Sequence, residues 1–158
     1  MCSVFVTGSF RSFVYDVGWL VWLTATYYSL HGRTIGCVRA QFSMGSVYRF
    51  GEVVVEVDLA VAWKWWHLAA LQGDVSSQRS LGVMSERGTG RPKDDHAAFQ
   101  WYVRAAEQGD AEAQCYVGEC YELGTGTDID YEKAKIWYTK SAARNYGEAK
   151  ARLDRLIP

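Results

Sequence analysis

Few side chains in this sequence have the types and spacing to do chemistry. Asp94-Asp95-His96 sets two carboxylates beside an imidazole, the makings of an acid–base pair or of part of a metal site. Gly88-Thr89-Gly90 and Gly124-Thr125-Gly126 are glycine-rich turns that could cradle a phosphate, but no Lys-Ser/Thr pair follows either one. The cysteines Cys2, Cys37, Cys115 and Cys120 contain no C-x-x-C pair, so zinc-site spacing is absent. Cys115 and Cys120 are five apart, about 140° around a helix, and read as free thiols rather than as an internal disulfide. His67, next to Trp66, reads as an ordinary helix residue. The run Trp63-Lys64-Trp65-Trp66 offers aromatic faces that could stack on a sugar or a base. The nucleophile motifs G-x-S-x-G, S-x-x-K and H-E-x-x-H do not occur. No cofactor or metal is expected, and no catalytic residue is assigned.

The elements that carry these residues emerge from a repeat. Trp65-Trp66, Trp101-Tyr102 and Trp137-Tyr138 stand 36 residues apart, each with an alanine three residues earlier (Ala62, Ala98, Ala134). Asp58, Asp94 and Asp130 precede these blocks at the same interval. Gly45, Gly82 and Gly118 mark the other half of the unit, followed by Tyr48, Ser85 and Tyr121, then by Gly51, Gly88 and Gly124. Gly73, Gly109 and Asn145 close the units. Aspartate before a helical run caps its first turn. Glycine, or asparagine as second choice, ends a helix in the left-handed conformation. Small residues let helix axes approach, and large rings fill the space between units. The Asp94 carboxylate and both G-T-G turns are thereby absorbed as structural positions.

Each unit is therefore a pair of helices, A and B. The expected spans are near 39–50 and 58–71, near 75–87 and 94–107, and near 111–123 and 130–143, with a last helix near 147–156. The domain reading is an atypical N-terminal segment over 1–39, which could be a degenerate half repeat, repeats over about 40–74, 75–110 and 111–146, and a capping helix over 147–158. Trp65, Trp101 and Trp137, with Trp66, are expected in the core, leaving Trp63 as a spare aromatic with a surface role open to it.

Composition bounds the rest. With 17 Lys+Arg against 18 Asp+Glu the net charge is −1, which lacks the basic footprint of a nucleic-acid binder. A hydrophobic share of 49% argues against disorder. The uncharged stretch 17–30 is too short for a membrane span and makes a poor secretion signal, so a core helix is the better reading. The compartment stays open between cytoplasm and periplasm or secretion. Trp19 and Trp22 lie in that stretch, and an uncapped N-terminal end there could drive self-association.

The third unit, GDAEAQCYVGECYELGTGTDIDYEKAKIWYTKSA, and the second, GDVSSQRSLGVMSERGTGRPKDDHAAFQWYVRAAEQG, resemble Sel-1-like repeats, relatives of the tetratricopeptide repeat with a longer loop between the helices. Two departures stand out: Val53 replaces the second Gly of the G-x-G turn in unit one, and Ser85 replaces the usual Tyr in unit two. The resemblance implies an all-α fold, a right-handed superhelix of helix–turn–helix repeats. It also implies a non-catalytic adaptor that holds a protein or peptide, with the A helices lining the concave side. The family's cysteine-rich branch, linked to β-lactam binding, carries a regular cysteine pair in each repeat, which units one and two lack.

On the third A helix Ala113, Val117 and Tyr121 read as core, and Cys115, Glu119 and Glu122 face away from them. The equivalent outward stripe is Arg79, Val83 and Glu86 in unit two, and Phe42, Ser46 and Arg49 in unit one. These nine positions are the candidate binding residues. Competing readings are an enzyme-regulating or cell-wall/β-lactam-related subunit, and a truncated repeat fragment that is purely structural.

Overall fold

The computed structural model describes residues 38–51 and 57–156, and the regular structure there is entirely helical. Seven helices run in order: α1 (Val38–Phe50), α2 (Leu59–Leu71), α3 (Val75–Arg87), α4 (Asp95–Glu107), α5 (Ala111–Leu123), α6 (Tyr131–Ala142) and α7 (Gly147–Leu156). All lie within one residue of the expected spans. The readings on Val53, the stretch 17–30, Trp19 and Trp22 fall outside the described residues. Among the described residues no helix is long and apolar enough to cross a membrane.

Capping aspartates explain where the helices start. Asp58 accepts from the N–H groups of Ala60 and Val61, Asp94 from Ala97 and Asp130 from Lys133. The A helices of units two and three use the same device: Asp74 accepts from Ser77 at 2.7 Å and Asp110 from Ala113 at 2.7 Å. Each such cap is worth about 1 kcal/mol. The loop between A and B helices is closed by a backbone bond, from the N–H of Asp58, Asp94 and Asp130 to the carbonyl of Tyr48, Ser85 and Tyr121 respectively. Because that bond uses main chain, serine at position 85 leaves it intact. Asn145 holds φ +63°, filling the left-handed position that Gly73 and Gly109 occupy in the other units.

The core repeats with the same period. A Cβ on Gly45, Gly82 or Gly118 would collide with the ring of Trp66, Tyr102 or Tyr138, so each A helix lies directly against an aromatic of its own B helix. The second Gly of each G-T-G turn permits a similar approach: a Cβ at Gly90 would strike the Leu59 carbonyl, and one at Gly126 the Asp95 carbonyl. Each turn thereby docks on the preceding B helix.

One assignment within the aromatic pairs is corrected. Trp66, Tyr102 and Tyr138 are the buried members, whereas Trp65, Trp101 and Trp137 are half-buried. Trp101 packs on the cluster of Trp66, Ala70, Leu81 and Met84 at the junction of units one and two, and Trp137 on the cluster around Tyr102, Ala105, Ala113 and Val117 at the junction of units two and three. The first ring of each of these two pairs bridges units, and the second seals its own.

Candidate binding site

Each B-helix aromatic also reaches the A-helix stripe. Tyr102 donates its hydroxyl to Glu86 at 2.9 Å, and Tyr138 donates to Glu122 at 2.5 Å. Burial raises both phenol pKa values, and the adjacent carboxylates raise them further, so both rings stay neutral donors. Unit one changes both partners together. Trp66 replaces the tyrosine and donates its indole N–H to the Phe42 carbonyl at 3.1 Å. Arg49 replaces the glutamate and sets its guanidinium 5.8 Å from the Trp66 ring.

The nine stripe residues separate on this geometry. Glu86 and Glu122 are engaged by the tyrosines. Glu119 is held by Arg152 at 3.0 Å, and Arg152 also reaches Glu148 at 3.0 Å and Glu122 at 3.9 Å. Arg79 is anchored to Glu112 and to Asp110 at 3.4 Å, tying α3 to the start of α5. Cys115 is a clear correction: it is 1% exposed, packed with Ala134, Tyr138 and Ala149. An internal helix of a solenoid is covered on two sides. One side of α5 meets α4 through Ala113 and Val117, and the Cys115 side meets α6 and α7. The expectation of a single buried face was the error. Burial pushes the Cys115 and Cys120 thiols up to about 12, so both are poor nucleophiles near neutral pH. Tyr121, expected in the core, is half-buried against Phe99.

Phe42, Ser46, Arg49 and Val83 remain partly accessible. Arg49, Trp66, Arg79, Ser80 and Val83 line an opening of about 130 Å³ between α1 and α3. The equivalent place one junction further on is filled. There Tyr116 stands where Ser80 does, its ring 4.8 Å from Tyr102 and its hydroxyl on Glu112 at 2.9 Å. At the next junction Arg152 occupies that position and makes the ion pairs above. Ser80 was missed in the sequence, although the Ser80/Tyr116 exchange is visible once the units are aligned.

The remaining motifs have structural partners. His96 shares a hydrogen bond with the Gly126 carbonyl at 3.2 Å and another with Gln100 at 2.8 Å. His67 stacks on Trp63 at 4.5 Å and meets Trp101 edge-on at 5.7 Å. Burial lowers its pKa, and Arg91 and Arg104 lower it further. Among the described residues no three His, Cys, Asp or Glu side chains are placed to hold a metal.

Comparison with known proteins agrees with this architecture. The Sel1 repeat family matches at residues 38–74, 75–110 and 111–146. A crystal structure of c5321, a protective antigen of uropathogenic Escherichia coli strains displaying an SLR fold, is 32% identical with a TM-score of 0.78, over 84% of this chain and 28% of that one. A Sel1 repeat protein from Oxalobacter formigenes is 30% identical with a TM-score of 0.72, over 86% of this chain and 58% of that one. Helicobacter pylori cysteine rich protein B shares the fold at 18% identity and a TM-score of 0.63, over 87% of this chain and 97% of its own. The chain thus spans less than two thirds of the first two proteins. No curated protein matches it. Three in-register units, each with its capping aspartate, helix-contact glycine and paired aromatics, place this chain in the Sel1 repeat family, whose members are generally non-catalytic repeat scaffolds.

Proposed function

We propose that the chain is a non-catalytic binding module that holds a protein or peptide along the exposed faces of its first A helices. The opening beside Ser80 carries this reading. Within one repeated architecture, the same place is plugged by Tyr116 at one junction and by Arg152 at another, but left open between α1 and α3. Its walls combine an indole, an aliphatic side chain and two guanidiniums, the mixed chemistry that anchors side chains at interfaces. The proposed contact set is therefore Phe42, Ser46, Arg49, Arg79 and Val83. Glu86, Glu119, Glu122 and Cys115 are spent on internal bonds and packing away from the opening, whereas Arg79, itself ion-paired to Asp110 and Glu112, still lines it.

A photo-cross-linking residue at Val83 tests this against one at Leu68, an exposed position on α2. The expected result is a discrete adduct from native extract with the probe at 83 and none at 68. Equal labelling at both positions, or none at 83, contradicts the assigned face.

A further inference from the structure

A second cavity, of about 260 Å³, lies on a different side of α3. Trp63 and Trp101 wall it, Ser85 forms its floor, and Arg91, Lys93 and Asp94 stand at its rim. The chain carries its own template for what fits there. Thirty-six residues on, Tyr121 takes the place of Ser85 and Phe99 that of Trp63. The Tyr121 ring meets Phe99 edge-on at 5.4 Å, with the Lys133 ammonium 5.3 Å from its centroid. Unit three thus fills with an aromatic side chain the space that unit two leaves empty.

The rim differs as well. Arg91 and Lys93 stand where unit three has Thr127 and Ile129. The Arg91 guanidinium lies 4.2 Å from the centroid of Trp63, a contact that holds it in place at the opening. Lys93 pairs with Asp95 at 3.1 Å, and Arg104 sits 4.7 Å from Trp101. Exchanging Thr127, Ile129 and Lys133 of unit three for Arg91, Lys93 and Ala97 is a net gain of one cation. The Arg91 guanidinium beside the vacated ring site favours negative charge there against the Asp94 carboxylate at the rim. Size is adequate, since cavities of roughly 150 Å³ accept benzene.

We propose that this cavity binds an aromatic ring bearing an anionic group, the ring occupying the place of the Tyr121 side chain against Trp63 and the anion meeting Arg91 and Lys93. A free aromatic acid and a C-terminal aromatic residue of a peptide share that chemistry. The site is separate from the Ser80 opening and does not rest on the proposed partner face.

Titration of the full chain with benzoate, and separately with N-acetyl-phenylalanine, followed through the indole N–H signals of Trp63 and Trp101, tests it. Saturable shifts at millimolar ligand are expected. Phenol and acetate, each carrying half of the chemistry, should bind roughly tenfold more weakly. Tighter binding of benzoate identifies a small-molecule site, and tighter binding of N-acetyl-phenylalanine a peptide terminus. Ser85→Tyr should abolish the shifts by supplying the ring internally. Arg91→Gln, which leaves the cavity open, should weaken binding roughly tenfold. Absence of saturable shifts, a Ser85→Tyr protein that folds and still binds, or equal affinity for phenol and benzoate would each overturn the proposal.

Discussion

Helices α3 and α5 occupy the same place in consecutive units and differ most where they face their neighbours. Helix α5 carries Tyr116 and Tyr121; α3 carries Ser80 and Ser85 at those positions. The two tyrosines plug the spaces on either side of α5, and the two serines leave openings of about 130 and 260 Å³ on either side of α3. The shared scaffold of capping aspartate, glycine and buried aromatic is unchanged. A repeat can therefore keep its fold while differing in accessible surface, because the plugging side chains are distinct from those that set the helices.

That division can be broken first at the scaffold. Tyr102→Ala removes a fully buried ring and its bond to Glu86, and should cost about 3–5 kcal/mol in chemical denaturation. Trp101→Ala, which truncates the half-buried bridging ring beside it, should cost clearly less despite the larger side chain. Equal losses would undo the assignment of the second aromatic as the core position.

A smaller effect concerns a glutamine ladder whose side-chain pair forms in units one and two. Gln72 donates to Gln41 at 2.6 Å and Gln108 to Gln78 at 2.7 Å, while Gln78 and Gln114 donate to the carbonyls of Ala70 and Ala106 at 3.1 Å. Unit three has Arg144 at the position of Gln72 and Gln108, and the buried Oε1 of Gln114 has no hydrogen-bond partner. Arg144→Gln should restore the bond and raise stability by about 1 kcal/mol. A denaturation midpoint at or below the parent value would show that the ladder adds nothing in unit three.

The smallest effect is at the cap of α6. The Asp130 carboxyl accepts from the Lys133 backbone N–H and sits beside the Lys133 ammonium, which together hold its pKa below the ordinary carboxylate value. A pKa lower in the folded state means the contribution is complete above the unfolded value and is lost as pH falls through the folded one. Asp130→Asn should therefore flatten the acid limb of a stability–pH profile below about pH 4, with little change in its slope near neutrality. An unaltered acid limb would remove that coupling.

Much of this was legible in the sequence because repeated positions reveal their constraints by recurring. The aspartates at 58, 94 and 130, the glycines at 45, 82 and 118, and Asn145 in place of glycine each follow from what a helix end or close packing requires. Local periodicity could not reveal Cys115. A pattern of one apolar face is silent about the second face that an internal solenoid helix buries, and cysteine fits either side. Glu86 and Glu122 misled for a related reason: a glutamate on a stripe reads as solvated until the tyrosine sixteen residues later is seen to reach it. Ser80 carries no signal alone, since a serine marks an opening only when the ring that fills the next unit is known.

Partner engagement at the gap left by Ser80 can be blocked by Ser80→Tyr, which gives α3 the plug that α5 already has. Affinity for the protein cross-linked at position 83 should be measured for the parent chain and for Ser80→Tyr, with helicity by circular dichroism confirming that both are folded. The expected result is a folded variant whose affinity falls at least roughly tenfold. A folded variant that binds the partner as tightly as the parent would contradict it.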